Sequence, residues 1–83
     1  MRISIIIPNW NGAAHLPECL DSLRRQTFRH FEILVADNAS TDGSRELLAR
    51  VYPEANVIAL DNNYGFTGAC NAGLKAASGE FCI

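Results

Sequence analysis

Eighty-three residues, 48% hydrophobic and 19% charged, supply one small domain, with enough apolar material to fold and too little charge for a disordered tail. A formal charge of −2 excludes a general attraction to nucleic acid or to an anionic membrane surface. No apolar run reaches the roughly 18 residues of a membrane helix, and Pro8, Asn9 and Asn11 interrupt the first apolar stretch too early for a signal peptide. The expectation is a small, soluble, cytoplasmic chain.

The first element is a β-branched run over 3–7, a strand expected to be buried on both faces and ended by Pro8. Leu16, Leu20 and Leu23 then recur at helical spacing, which predicts a helix over 14–26 with Pro17 in its first turn. FEILVA over 31–36 is the second strand, ending at Asp37. The turn-rich DNASTDGS follows, with Asp42 or Ser44 able to cap a helix over 45–52. That helix places Leu47, Leu48 and Val51 on one side, and Pro53 closes it. NVIAL over 56–60 is the third strand. After DNNYGFTG, a helix over 68–77 turns the small residues Ala69, Ala72, Gly73 and Ala76 inward, with Gly79 placed to end it. A fourth strand begins over 80–83.

Strands and helices alternate without a hairpin signal, and parallel strands need crossover helices. The fold class is therefore α/β, with three to four mostly parallel strands and three helices in a doubly wound, Rossmann-like half. Residues 1–83 read as one incomplete domain, and a sheet edge left open at the C-terminus invites self-association. Cys19, Cys70 and Cys82 are odd in number and widely spaced, which argues against a disulfide framework or a zinc site. They read as small buried apolar side chains. His15 and His30 have no partner at ligand spacing and read as surface or helix-end positions.

Ligands bind outside the carboxyl ends of strands in open parallel sheets. Three loops fall there: 8–12 (PNWNG), 37–42 (DNASTD) and 61–66 (DNNYGF). The first lacks the glycines of a dinucleotide fingerprint, and no strand is followed by a P-loop. A phospho-acceptor domain would need an acidic cluster after the first strand, and none is present. A base pocket fits better. Trp10 offers a face for stacking, and an ionised Asp37 offers acceptors for the imide N–H of uracil or thymine. The alternatives are a core aromatic for Trp10 and a capping or loop-bracing role for Asp37.

The stretches ISIIIPNWNG, HLPECLDSLRRQTF, FEILVADNASTDGS and NNYGFTGACNAGLKAASGEF resemble the N-terminal part of family 2 glycosyltransferases, which have the GT-A fold. The resemblance implies that Pro8 and Trp10, with Asn9 and Asn11 between and beside them, form the base-contacting stretch. Asp37 falls on the family's first acidic residue, which contacts the base. Asn63 and Gly65 lie where the diphosphate would rest. Asn71 and Gly73 match an Asn-x-Gly helix signature that serves either packing or ligand contact. Asn38 stands where many members carry a second acid, and Cys70 replaces an asparagine often found before Asn71. The implied reaction is inverting transfer of a sugar from a UDP- or dTDP-linked donor to an acceptor hydroxyl, as in surface polysaccharide biosynthesis. The implied partner is a nucleotide-diphosphate sugar. A divalent metal, Mg or Mn, is implied for the longer enzyme, at an Asp-x-Asp motif expected just beyond Ile83, with the catalytic base further on. These residues alone are expected to bind no metal and to be inactive, in the cytoplasm or, in a longer form, at the inner face of a membrane. A non-catalytic module or a gene remnant is the alternative.

Overall fold

A computed structural model describes residues 3–26, 30–77 and 81–82. Strands Ile3–Asn9 (β1), Phe31–Asp37 (β2), Ala55–Ala59 (β3) and Phe81–Cys82 (β4) alternate with helices Leu16–Arg24 (α1), Ser44–Val51 (α2) and Gly65–Ala76 (α3). The strands form one parallel sheet in the order β3-β2-β1-β4. Right-handed crossovers dictate the layers. The first two connections step from β1 to β2 to β3, so α1 and α2 share one face. The third steps back to β4 and puts α3 on the other.

Packing follows the period-two alternation of the strands. On one face Ile33, Val35 and Ala55 meet Leu16, Leu20, Leu48 and Tyr52, with Ile7, Leu23, Phe31 and Leu47 around them. On the other, Gly73 lies against Ile6, and a Cβ built on Gly73 would stand 2.4 Å from Ile6 Cγ2. Only glycine admits so close a helix–sheet contact. Residues 33–36 of β2 are all buried, as a central strand covered on both faces requires. Arg24 clasps the end of this core. Its guanidinium donates to both Glu54 carboxylate oxygens, at 2.5 and 2.9 Å, and lies 4.4 Å over the Tyr52 ring. Tyr52, 2% exposed, keeps its hydroxyl paired to Asp21 at 2.8 Å.

Several expectations shift. Pro8 does not end β1, because the strand runs on to Asn9. Asn9 O accepts from Asn38 N at 2.8 Å, so the backbone groups of Pro8 face the other side, where among the described residues β4 pairs only with Ile3 and Ser4. The missing N–H therefore costs the β1–β2 ladder nothing. The cap of α2 is Gly43 at φ +88°, while Asp42 Oδ1 accepts from Ser44 N at 3.0 Å just inside the helix. Val51 and Ala76, expected inward, are exposed, and Tyr52 takes the core position instead. Helix α3 starts one turn early, at Gly65. Cys19 is exposed and Cys70 half-buried, both as free thiols. The Cys82 side chain, Gly79 and the ends of the fourth strand at Glu80 and Ile83 lie outside the described residues.

Candidate functional site

The three loops at the carboxyl edge are stitched into one rim. Asn11, in the left-handed region at φ 51° that asparagine tolerates, donates its N–H to Ser40 Oγ at 2.9 Å and accepts from Thr41 N at 2.8 Å. Ala13 N donates to Asp42 Oδ2 at 3.0 Å. The third loop is held by Asn38, whose Oδ1 accepts from Tyr64 N at 3.2 Å and whose Nδ2 donates to Gly65 O at 3.1 Å. Asn63 Oδ1 takes the N–H of Gly65 at 2.9 Å, satisfying one orphan donor at the start of α3.

Asp37 sits beneath this rim, fully buried. A carboxylate offers about four lone-pair positions, and all four are filled. Oδ1 accepts from Asn9 Nδ2 at 2.8 Å and Ser40 Oγ at 2.6 Å. Oδ2 accepts from Ser40 N at 3.1 Å and Arg45 Nε at 2.6 Å. Burial pushes its pKa up, but the hydrogen bonds from Ser40, Arg45 and Asn9 outweigh burial and hold it below the usual carboxylate value. The arrangement is a brace between loops, and it leaves no lone pair for an imide N–H.

A cavity of about 370 Å³ opens above the brace, lined by Pro8, Asn9, Trp10, Asn38, Asn63, Gly65 and Phe66. The structure thus brings Pro8, Asn9, Trp10, Asn63 and Gly65 to one place. Asp37 lies behind them, Asn11 is spent on bracing the second loop, and Asn71 is exposed further along α3. Trp10 is 57% exposed, so it is a rim plate and not a core aromatic. Asn38, Ser40 and Phe66 lie in the edge loops expected from sequence but carry roles not assigned there. Asn38 and Phe66 line the cavity, and Ser40 braces Asp37 together with Arg45, which lies outside those loops. The position of Asn38 directly after Asp37, at the carboxyl end of β2, is the sequence signal that points to it. Nothing in sequence pairs Arg45 with Asp37.

Among the described residues no three His, Cys, Asp or Glu side chains gather to hold a cation. Among the described residues no carboxylate lines the cavity, and Asp37 has no acceptor to spare, so the residues described do not fit a divalent metal. His15 and His30 are exposed, His15 at the N-cap of α1. Among the described residues no helix is long and apolar enough to cross a membrane.

An open parallel sheet with a preorganised, aromatic-lined rim at its carboxyl edge defines an α/β fold with a candidate ligand site where such sheets bind. The chain belongs to Glycosyl transferase family 2, whose sequence profile matches residues 4–83. It is 39% identical, over 96% of its length, to an uncharacterized glycosyltransferase of Nostoc sp., of which it covers 26%. It superposes on S. aureus TarS in complex with UDP-GlcNAc with a TM-score of 0.91 and 33% identity, covering 100% of this chain and 25% of that one. Mannosyltransferase PcManGT from Pyrobaculum calidifontis, in complex with GDP-Man and Mn2+, gives a TM-score of 0.88 and 30% identity, covering 98% of this chain and 26% of that one. The structural neighbours confirm the GT-A type of α/β sheet. The chain spans about a quarter of the length of these relatives.

Proposed function

We propose that these 83 residues form the donor-binding part of a glycosyltransferase that moves a sugar, with inversion, from a nucleotide-diphosphate sugar to an acceptor hydroxyl. The observation that carries this reading is the cavity that joins Trp10 to the amides of Asn9, Asn38 and Asn63 at the carboxyl edge of the sheet. An exposed indole beside fixed amides suits a planar base with polar edges, and base–aromatic stacking contributes about 1–3 kcal/mol. The preorganised rim spares a ligand the cost of ordering three loops.

In this reading Asp37 acts at one remove. An ionised carboxylate can only accept, so it forces the Asn9 amide nitrogen toward itself and fixes that side chain at the cavity wall. Base contact falls to Asn9 and Trp10, with Asn38 holding the third loop at the cavity wall, while Asn63 and Gly65 border the diphosphate. Among the described residues no free carboxylate lines the cavity to serve as a base, and in this reading the 83 residues bind donor without transferring sugar.

Titration of the chain with UDP, dTDP and GDP, with and without manganese, tests the reading by thermal shift. The expected result is a rise in melting temperature with at least one nucleotide that is abolished in Trp10→Ala. No shift with any of the three, or a shift that Trp10→Ala leaves intact, overturns it. Sugar transfer by the purified chain would overturn the second half alone.

A further inference from the structure

Phe66 lies 73% exposed in the first turn of α3. Its spacing to Ala69 and Gly73, at i+3 and i+7, puts it on the stripe of α3 that faces the sheet. Ala69 and Gly73 are buried there. At the level of Phe66, however, the strands have ended and the rim begins. The side chain therefore overhangs the carboxyl edge and lines the same cavity as Pro8 and Trp10.

The three exposed aromatics among the described residues, Trp10, Tyr64 and Phe66, all sit on this rim. The Tyr64 hydroxyl is occupied by Asp61, and Tyr64 does not line the cavity. Trp10 and Phe66 share it. The loop that carries Phe66 is fixed at its neighbour, because Gly65 is held through its carbonyl by Asn38 and through its N–H by Asn63. Gly65 itself is at φ +77°, a conformation that side chains rarely adopt.

We infer that Phe66 is a base-contacting residue, a second aromatic wall that with Trp10 selects a flat, aromatic base in the donor nucleotide. The inference rests on the donor-binding reading above and adds the residue that makes ring planarity a criterion. Water-exposed apolar rings on two walls of one polar-floored cavity gain most from a ligand with two apolar faces and a polar edge. Asn38 contributes as the positioning residue: an acid in its place could not donate to Gly65 O.

Trp10 is the sole tryptophan of the chain, so its fluorescence reports directly on occupancy of the cavity. UDP and 5,6-dihydro-UDP are the probes, the second retaining the phosphates and the imide edge but not the planar ring. Phe66→Ala is expected to weaken UDP about 5- to 150-fold by loss of one stacking face, and to weaken dihydro-UDP much less. Phe66→Tyr should bind UDP as the parent does. The melting temperature of Phe66→Ala should match the parent, since the ring is mostly exposed. An unchanged UDP affinity in Phe66→Ala, or an equal loss for both ligands, overturns the inference while leaving the donor-binding reading intact if Trp10→Ala still abolishes binding by calorimetry. Failure of the parent chain to bind UDP, dTDP or GDP overturns both.

Discussion

Arg45 Nε lies 2.6 Å from Asp37 Oδ2, and the same guanidinium donates through Nη2 to the carbonyl of Leu60 at 2.8 Å. One side chain on α2 thus ties the carboxyl end of β2 to the loop that leaves β3. The carboxylate is fully buried, whereas the Arg45 side chain is 38% exposed. The pair is half-buried, and its worth lies in satisfying a buried charge more than in bare Coulomb attraction.

Arg45→Ala is expected to lower unfolding free energy by about 2 kcal/mol, the scale of one hydrogen bond to a charged group. Asp37→Asn should cost more, about 2–4 kcal/mol, because an amide sets N–H groups against the donors of Ser40 and Arg45. Chains of this length have roughly 4–12 kcal/mol in total, so both changes should be plain in urea denaturation. An unchanged urea midpoint in Arg45→Ala would show that the brace is dispensable.

The acid limb of stability follows from the same brace. The pKa of Asp37 is lowered, burial being outweighed by hydrogen bonds from Ser40, Arg45 and Asn9. Glu54 is lowered to about 2 by its hydrogen bond from Arg24, and Asp42 is lowered by its bonds from Ser44 and the Ala13 amide. A folded-state value below the unfolded one means that the unfolded chain binds more protons in acid, so stability rises with pH. The contribution is complete above the unfolded values of about 4 and disappears as pH falls through the folded ones. Urea midpoints should be flat between roughly pH 5 and 7 and fall below about pH 4. Added salt should erode the exposed Arg24–Glu54 share and spare the Asp37 share. In Arg45→Ala the decline should be shallower, and an identical decline would count against Asp37 as its source.

The alternation of strands and helices was legible because each element carries its own period. Ile5, Ile6 and Ile7 or Ile33, Leu34 and Val35 can only be strand, and Leu16, Leu20 and Leu23 can only be one helix face. Boundaries set by tertiary bonds were not legible. The first turn of α3 contains Gly65 and Gly68, poor helix formers, and it is held by Asn38 and Asn63 from other turns. The place of the site was legible from the sheet rule, and Trp10 from its position after a strand. The role of Asp37 was not, since its partners Asn9 and Arg45 come from other elements and only folding shows that its lone pairs are spent. Phe66 fell inside the third edge loop but carried no role there, because the helix was expected only from 68 and its first turn, which fixes Phe66, begins at Gly65.

Ala39 adopts φ 58° in the loop after Asp37, a conformation that costs a non-glycine residue about 1–2 kcal/mol. Its N–H bonds back to the Asp37 carbonyl at 3.0 Å, and the next residue, Ser40, donates its N–H and hydroxyl to the Asp37 carboxylate, so the brace holds the strain in place. Ala39→Gly removes the strain but adds about 0.4–1 kcal/mol of unfolded-chain entropy. The expected net effect is a gain of about 0.5 kcal/mol, read as a small rise in urea midpoint. A loss of stability would show that the loop holds Ala39 without strain.

Gly73 sets how closely α3 lies on the sheet, and through α3 it sets where Phe66 stands. A Cβ at this position would meet Ile6 Cγ2 at 2.4 Å, Cγ1 at 3.2 Å and Cβ at 3.3 Å. These are atoms next to the strand backbone, not the far end of a flexible chain, so the helix must give way. Gly73→Ala gains about 1 kcal/mol of helix propensity and loses about 1–3 kcal/mol to overpacking. A net loss near 1 kcal/mol is expected. Truncating Ile6 in the Gly73→Ala background should recover part of that loss, because the new methyl fills the space, so the two substitutions should be non-additive. Lifting α3 also carries Gly65 and Phe66 away from Trp10, so Gly73→Ala should weaken nucleotide quenching of Trp10 although it lies well outside the cavity. If Gly73→Ala is more stable than the parent, propensity outweighs contact, and the close approach of α3 is not what holds Phe66 at the rim.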